Sequence, residues 1–322
     1  MPSDHFIPQF YLRHFQIPGR NGWIYSYKRS LKPKPLAIKS VACAEDYYAL
    51  KGEEVFVPRD FPDKFLSMGE DAAAPILAHL LSAPKLSLSE DDRTVISIFV
   101  AFLALRTPMA RARALNIHKA IQARKMQSFA TDREEFINVV MNELKLVETE
   151  EEAEKQRQLH LEPDKNFILN LSGELDDFSL ERVFKSADPL VQILLKKKLV
   201  LVEAPRTQYF VTSDNPFATL IPEPYIRGMD VSPMNAECLF PISPRRALLF
   251  SNRIGGNSVY KPSKQRMTKW VNDTIFFAFE QLFSHTVSER VQAEFERVPA
   301  GAITEVPMSS IPAFPPPKRR NQ

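Results

Sequence analysis

The polar run Thr212-Ser213-Asp214-Asn215-Pro216 has the residue types of a reactive site. It follows an apolar segment that we expect to be a strand, and strand ends are where a rigid scaffold presents chemistry. Asp214 is able to bind a cation, orient a base or activate water, and Ser213 and Asn215 offer hydrogen bonds beside it. The alternative is a structural turn, in which Ser, Asp and Asn side chains bond nearby backbone amides before a proline.

Other polar side chains also have two interpretations each. His5 is an acid, base or metal-ligand candidate, but a capping or packing role is the alternative because no paired ligand lies near it in the sequence. Arg106, followed by Arg111 and Arg113, ends a predicted apolar helix. Such arginines either oppose the helix dipole in solvent or, inside a cleft, clamp a phosphate or carboxylate. Glu70, in an otherwise apolar helix, is a solvated residue or a buried acid.

Composition excludes several function classes. Nine glycines in 322 residues are few, and the Gly-rich turns that bind dinucleotides or nucleotide phosphates are absent. No His-Glu-x-x-His, Gly-x-Ser-x-Gly or clustered Cys/His pattern occurs either. The net charge of +3 creates no strong field toward nucleic acid or an anionic membrane, so any basic site must be local.

The sequence also predicts a compartment. Cys43 and Cys238 are too few for a disulfide framework and lie in apolar segments, which favours buried reduced thiols and the cytoplasm. The N-terminus lacks the pattern of a secretory signal. The most apolar run, Val95 to Leu105, is far shorter than the roughly 20 residues that span a bilayer. We therefore expect neither export nor membrane insertion.

The helices and strands that must position these side chains are predicted in an order that indicates an α+β fold. We expect a β-rich N-terminal segment over 1–60, a helical subdomain over 61–198, a sheet with a long helix over 199–300, and an exposed proline-rich tail over 301–322. The N- and C-terminal β-rich pieces are expected to form one sheet, with the helices inserted between them. The predicted C-terminal elements are a hairpin of Leu199–Glu203 with Gln208–Thr212, strands Glu237–Pro241 and Arg246–Phe250, and a helix over Ser263–Ser284.

A second catalytic hypothesis comes from Arg113 and His118, which lie in a helical segment with four residues between them. This spacing resembles the catalytic motif of the HEPN ribonucleases, in which such residues from two protomers meet to cleave RNA. Short motifs of this kind also occur by chance, and the β-rich flanks differ from an all-helical HEPN domain. The hypothesis requires both residues to line a symmetric dimer cleft.

A series of motifs occurs in a fixed order along the chain: His5–Phe15, the aromatic strand Trp23–Tyr27, Asp46-Tyr47-Tyr48, Glu70, Arg106-Thr107-Pro108, Val211–Pro216, Phe240–Pro244 and Asn272. This order resembles a widespread bacterial family catalogued as domain of unknown function 4238. The resemblance covers nearly the whole chain. The first motif and the Ser-Asp-Asn-Pro motif make it specific, but it brings no established activity.

What the resemblance implies is one joint site. Its residues would be His5, Asp214 and Glu70 as catalytic groups, with Arg106, Ser213, Asn215 and Asn272 binding the substrate. This set predicts an intracellular hydrolase, a nuclease candidate, that acts on an anionic substrate such as a nucleotide or phosphodiester, with a divalent metal as its potential cofactor.

The competing class is a non-enzymatic sensor, antitoxin-like partner or phage-response component, in which the same residues form a buried structural network. Geometry distinguishes the two classes. A catalytic site requires His5, Arg106 and Asp214 to converge in an open pocket, whereas a structural network is closed.

Overall fold

The chain forms two compact units. The computed structural model describes residues 3–48, 61–161, 176–220, 234–255, 258–276 and 280–297. The first unit contains segments 1–111 and 180–303, and the second contains 112–179 and 304–322. The boundaries at 60 and 198 stay predictions, and the proline-rich tail predicted over 301–322 lies outside the described residues.

Helices and antiparallel strands both occur throughout, so the α+β class is confirmed. The described helices are α1 Gln9–Arg13, α2 Phe61–Leu80, α3 Glu90–Leu105, α4 Pro108–Phe129, α5 Arg133–Asn138, α6 Glu150–Leu161, α7 Asp176–Lys196, α8 Lys264–Phe276 and α9 Glu289–Arg297, with a 3-10 turn at Ile38–Ser40 and a π-helical turn at Val139–Glu143. The described strands are β1 Ser3–His5, β2 Trp23–Lys28, β3 Leu31–Ala37, β4 Cys43–Glu45, β5 Lys198–Glu203, β6 Thr212–Ser213, β7 Ala218–Leu220, β8 Glu237–Pro241, β9 Arg246–Ser251 and β10 Gln281–Ser284.

Helix α3 forms where its sequence predicts it. Ser89 is the N-cap: its hydroxyl accepts from the Asp92 amide, and the Asp92 carboxylate accepts from the Ser89 amide. This capping box satisfies amide groups that the first helical turn leaves unpaired. The buried face of α3, which includes Ile96, Phe99 and Leu103, belongs to the main core of the first unit.

One four-stranded sheet joins the two ends of the chain. Its order is β3-β2-β10-β6, and Tyr27 of β2 faces Leu282 of β10. The sequence does not predict strand β3, because Pro33 and Pro35 interrupt the pattern of a strand. Both prolines are tolerated there because β3 is an edge strand, where a missing amide donor breaks no hydrogen bond of the sheet. A separate pair, β1 with β4, holds His5 opposite Cys43.

The second four-stranded sheet has the order β5-β9-β8-β7 and is covered on both faces. Leu199 and Leu201 of β5 pack into the core that contains α2 and α3, whereas Val200 and Val202 pack with Trp270 of α8. This alternation follows from the two-residue period of a strand. Since the strands of residues 199–300 divide between two sheets, the predicted single sheet is not confirmed.

Two local predictions are wrong. Residues 281–284 belong to β10 rather than to the end of a long helix, because buried Leu282 and Phe283 pair on one side with β2 and on the other with β6. Strand β5 pairs with β9 rather than forming a hairpin with the segment ending at Thr212. The loop after Glu203 instead carries Thr212 to the first sheet.

Among the described helices, none by itself has the length and apolar character needed to cross a bilayer. Helices α3 and α4 meet the length and composition test only when they are taken together.

Candidate functional site

The junction between α3 and α4 is where most of the predicted site residues meet. Helix α3 ends at Leu105, and Arg106 is its C-cap residue. Pro108 opens α4, because proline fits a first helical turn but disfavours helical geometry in the residue before it. The resulting bend directs the Arg106 side chain into the protein, where it is 2% exposed.

The Arg106 guanidinium is held by two partners. Its Nε donates to the Phe6 carbonyl oxygen at 3.0 Å, and its Nη2 lies 2.7 Å from Oε1 of Glu70. Burial opposes the charged form, but Tyr48 and Glu70 outweigh this effect and raise the pKa of Arg106. Arg106 is therefore a permanent cation whose charge Glu70 balances inside the protein.

Two adjacent tyrosines extend the network. The Tyr47 hydroxyl donates to the Arg106 carbonyl oxygen at 2.7 Å, and the Tyr47 carbonyl oxygen accepts from Arg111 Nη1 at 2.8 Å. The Tyr48 hydroxyl donates to the His5 carbonyl oxygen at 3.2 Å. Burial raises the pKa of Tyr47 to about 12 although Arg111 opposes the rise, so its phenol stays neutral at physiological pH.

The Ser-Asp-Asn motif has a structural role at the edge of the first sheet. Oδ2 of Asp214 accepts from the backbone amides of Glu280 and Gln281 at 2.8 and 3.0 Å. The Ser213 hydroxyl accepts from the Asn215 amide at 3.0 Å, which is the local turn chemistry expected of serine. Asp214 is 3% exposed, so the carboxylate fixes the start of β10 rather than facing solvent.

Asn215 connects this motif to the helix junction. Its Oδ1 accepts from the Thr107 hydroxyl at 3.4 Å, and its Nδ2 lies 3.7 Å from Sδ of Met109. Thr107 Oγ1 in turn accepts from the Ala110 amide in the first turn of α4. The motifs that are distant in sequence thus meet around one bend, as a set of buried contacts.

A cavity that reaches Arg106 lies between α2 and α3 of the first unit. This cavity, hereafter the α2–α3 cavity, has a volume of about 230 Å³. Its lining residues are Phe65, Leu66, Met68, Gly69, Glu70, Ala72, Val95, Ile98, Phe99, Phe102 and Arg106. Phe65 and Met68 are 40% and 73% exposed, so the cavity is accessible from solvent. The Glu70 side chain is 24% exposed, against 2% for Arg106.

Asn272 lies away from this cluster. It is half-buried on α8 and lines a different cavity of the first unit, together with Tyr209 and Gln208. The structure therefore brings His5, Glu70, Arg106 and the Ser-Asp-Asn motif into one connected network but leaves Asn272 outside it. Sequence reasoning missed the phenylalanines of the α2–α3 cavity, because rings at helical spacing have the same pattern as an ordinary core.

The residues of the ribonuclease hypothesis are on α4. Arg113 is half-buried, and burial lowers the pKa of its guanidinium. Nε2 of His118 lies 3.5 Å from Nε2 of Gln122. The requirement for a dimer cleft stays a prediction. Among the described residues, no group of three or more His, Cys, Asp or Glu side chains is arranged to hold a metal ion.

The sequence profile of one family, described as Protein of unknown function (DUF4238), matches residues 4–288. The chain belongs to this family. No curated protein and no solved structure matches it. The match spans the whole junction network, from His5 through Arg106 to Asn215, and it also includes Asn272, so the resemblance noted in the sequence is confirmed as family membership.

Proposed function

We propose that this protein is a non-enzymatic sensor that binds a small organic ammonium ion in the α2–α3 cavity. The observation that carries the proposal is the unequal exposure of the buried ion pair. Both residues line the cavity, and the Glu70 side chain is 24% exposed against 2% for Arg106. We infer that the more exposed carboxylate dominates the local potential in the cavity, which favours a cation over an anion.

The aromatic lining supports the same ligand class. Phe65, Phe99 and Phe102 line the cavity, and the rings of Phe65 and Phe102 meet edge to face at 5.4 Å. A phenylalanine ring attracts an ammonium group through its negative face. Aromatic rings together with one carboxylate recognise an amine that carries an apolar group. The anionic substrate of the hydrolase hypothesis would instead be repelled by the Glu70 carboxylate.

The burial of the polar motifs favours a sensor over a hydrolase. Arg106 and Asp214 are 2% and 3% exposed, and each is bonded to backbone groups. Arg106 lines the α2–α3 cavity but is already paired with Glu70, and Asp214 is already bonded to the amides before β10, so both have their charges satisfied within the protein. A cation bound near Glu70 instead competes with Arg106 for the Glu70 carboxylate. Because Arg106 is the C-cap residue of α3, weakening this ion pair would alter the bend between α3 and α4.

The test is isothermal titration calorimetry with 2-phenylethylammonium and, as a charge-reversed control of similar size, 3-phenylpropanoate. We expect saturable binding of the ammonium ion with a dissociation constant in the millimolar range or below, since a millimolar constant requires about 4 kcal/mol, which is well within the ceiling of about 1.5 kcal/mol for each of about nine non-hydrogen atoms. The carboxylate should bind at least about tenfold more weakly, equivalent to about 1.4 kcal/mol.

Two matched variants locate the binding. Ala72→Phe adds a ring at an exposed position of α2 within the cavity lining and leaves both members of the Arg106–Glu70 pair in place, and Ala78→Phe adds the same ring at an exposed position of α2 outside the lining. Ala72→Phe should abolish binding and Ala78→Phe should preserve it. Equal affinity for the two probes, or unchanged binding in Ala72→Phe, would refute the proposal.

A further inference from the structure

The N-terminal part of the first unit carries a local excess of positive charge. Residues 5–44 contain seven Arg and Lys side chains and no Asp or Glu, whereas the whole chain has a net charge of only +3. The rest of the chain is therefore net acidic. Lys28, Lys32 and Lys34 of this part are exposed and belong to the hairpin of β2 and β3. Within the described part of the chain none of these three lysines forms an ion pair, so their charges are available to a partner.

A β-bulge places a leucine on the same face of the hairpin as two of these lysines. Lys28 is directly opposite Leu31, Ser26 is directly opposite Lys34, and the register shifts between the two pairs. Residues two apart on a strand share a face, and directly opposite residues project to the same side, so Lys28, Leu31 and Lys34 share one face. In a regular strand Leu31 and Lys34, three residues apart, would be on opposite faces. The bulge is what brings them together.

Leu31 is exposed at the turn end of the hairpin. It directly follows the two-residue turn Arg29-Ser30, and 55% of it is exposed. Ser30 has a φ of 60°, a left-handed conformation that tight hairpin turns require. A single exposed leucine is ordinary on a protein surface. An exposed leucine among unpaired lysines instead combines an apolar contact with positive charge. The group Lys28, Leu31, Lys32 and Lys34 is hereafter the hairpin tip.

The acidic helix packed on this hairpin covers the other face of β2. Tyr27 packs with Val291 and Phe295 of α9, and Tyr27 projects from the face opposite to that of its neighbour Lys28. Helix α9 therefore lies on the far side of β2 from Lys28. Its carboxylates, which are those of Glu289, Glu294 and Glu296, do not pair with the lysines of the hairpin tip.

We infer that the hairpin tip binds the surface of a bilayer that contains anionic phospholipids. The lysine ammonium groups contact the anionic headgroups, and Leu31 enters the boundary between the headgroups and the acyl chains. Binding of this kind combines electrostatic attraction to anionic lipids with buried apolar area, and the hairpin tip supplies both. A nucleic acid also attracts lysines, but its outer surface is phosphate and sugar, which would leave Leu31 without an apolar contact.

The experiment is co-sedimentation of the full chain with two kinds of vesicle, one of phosphatidylcholine alone and one of phosphatidylcholine mixed with phosphatidylserine. We expect at least about tenfold tighter binding to the vesicles that contain phosphatidylserine, because each lysine near an anionic surface strengthens binding about fivefold. Binding should fall steeply as salt rises, since the Debye length shrinks from about 10 Å at 0.1 M to about 3 Å at 1 M.

Two lysine variants test the position of the charge. Lys28→Gln combined with Lys34→Gln should weaken binding to the anionic vesicles at least about tenfold. The control combines Lys85→Gln with Lys264→Gln, which removes the same net charge at two exposed lysines outside the hairpin and should leave binding unchanged. Equal losses in the two double variants would mean that net charge alone attracts the vesicles, and the inference would be overturned.

Two leucine variants test the apolar contact. Leu31→Ala should weaken binding at least about threefold, because a smaller side chain buries less apolar area. Leu144→Ala is the matched control, since Leu144 is 58% exposed and belongs to the second unit, and it should leave binding unchanged. Unaltered binding in Leu31→Ala would overturn the inference.

A labelled DNA duplex, followed by fluorescence anisotropy, tests the competing partner. Binding of the duplex without binding of the anionic vesicles, or equal binding of neutral and anionic vesicles, would also overturn the inference. Ala72→Phe, a change in the lining of the α2–α3 cavity, should leave vesicle binding unchanged. The proposal for that cavity and the proposal for the hairpin tip are therefore able to fail separately.

Discussion

The Arg106–Glu70 ion pair provides the sharpest test of the junction network. Arg106→Met leaves the Glu70 carboxylate without its cation and the Phe6 carbonyl without its donor. Glu70→Met leaves the guanidinium as an uncompensated buried charge. Breaking a buried pair costs about 3–5 kcal/mol, and replacing both partners by apolar residues is often much less harmful.

The expected losses in the free energy of unfolding follow from the exposed fractions of the Glu70 and Arg106 side chains. Because the Glu70 side chain is 24% exposed, water recovers part of its solvation in Arg106→Met, and we expect a loss of about 3 kcal/mol in the free energy of unfolding. Glu70→Met leaves a cation that is 2% exposed and should cost about 4 kcal/mol. The double variant should cost at least about 2 kcal/mol less than the sum of the two.

Urea unfolding followed by tryptophan fluorescence measures these changes. Both tryptophans, Trp23 and Trp270, are in the first unit, which also contains the ion pair. Lys261→Met is the control, because Lys261 is 72% exposed and 3.7 Å from Glu203; it should cost below about 1 kcal/mol. If the costs of the two single variants add to within about 0.5 kcal/mol, the pair is not coupled and the account of the network is wrong.

Three further outcomes are expected. Asp214→Ala should lower the free energy of unfolding by about 2–4 kcal/mol and speed hydrogen exchange at the Gln281 amide, since the amide loses a charged acceptor; unchanged exchange would contradict the assigned role. Burial raises the pKa of Asp273 from 3.8 to about 6, so its ionisation removes stability as pH rises through about 6; Asp273→Asn should therefore gain about 1–2 kcal/mol at pH 7.5 and nothing at pH 4, measured by urea midpoints. A thiol reagent at pH 8 should modify half-buried Cys43 but not Cys238, whose pKa burial raises to about 12, and mass spectrometry that finds native Cys238 modified would refute this.

Local patterns in the sequence determine much of the fold. The capping residues before α3, the apolar spacing within that helix and the nearly continuous apolar runs of β5, β8 and β9 depend on neighbours a few positions away, so those elements are predicted close to their observed bounds. Strand pairing depends on distant partners. Residues 281–284 have a pattern compatible with a helix end, and β2 and β6 on either side make them a strand.

The same division applies to the candidate site. The sequence shows that His5, Glu70, Arg106 and Asp214 are polar residues in motifs, and the order of those motifs identifies the family. It does not show which of them face solvent, because burial depends on how separate elements pack. Only the tertiary structure pairs buried Arg106 with the more exposed Glu70, directs Asp214 to the amides before β10 and puts Asn272 beside Tyr209 in a separate cavity.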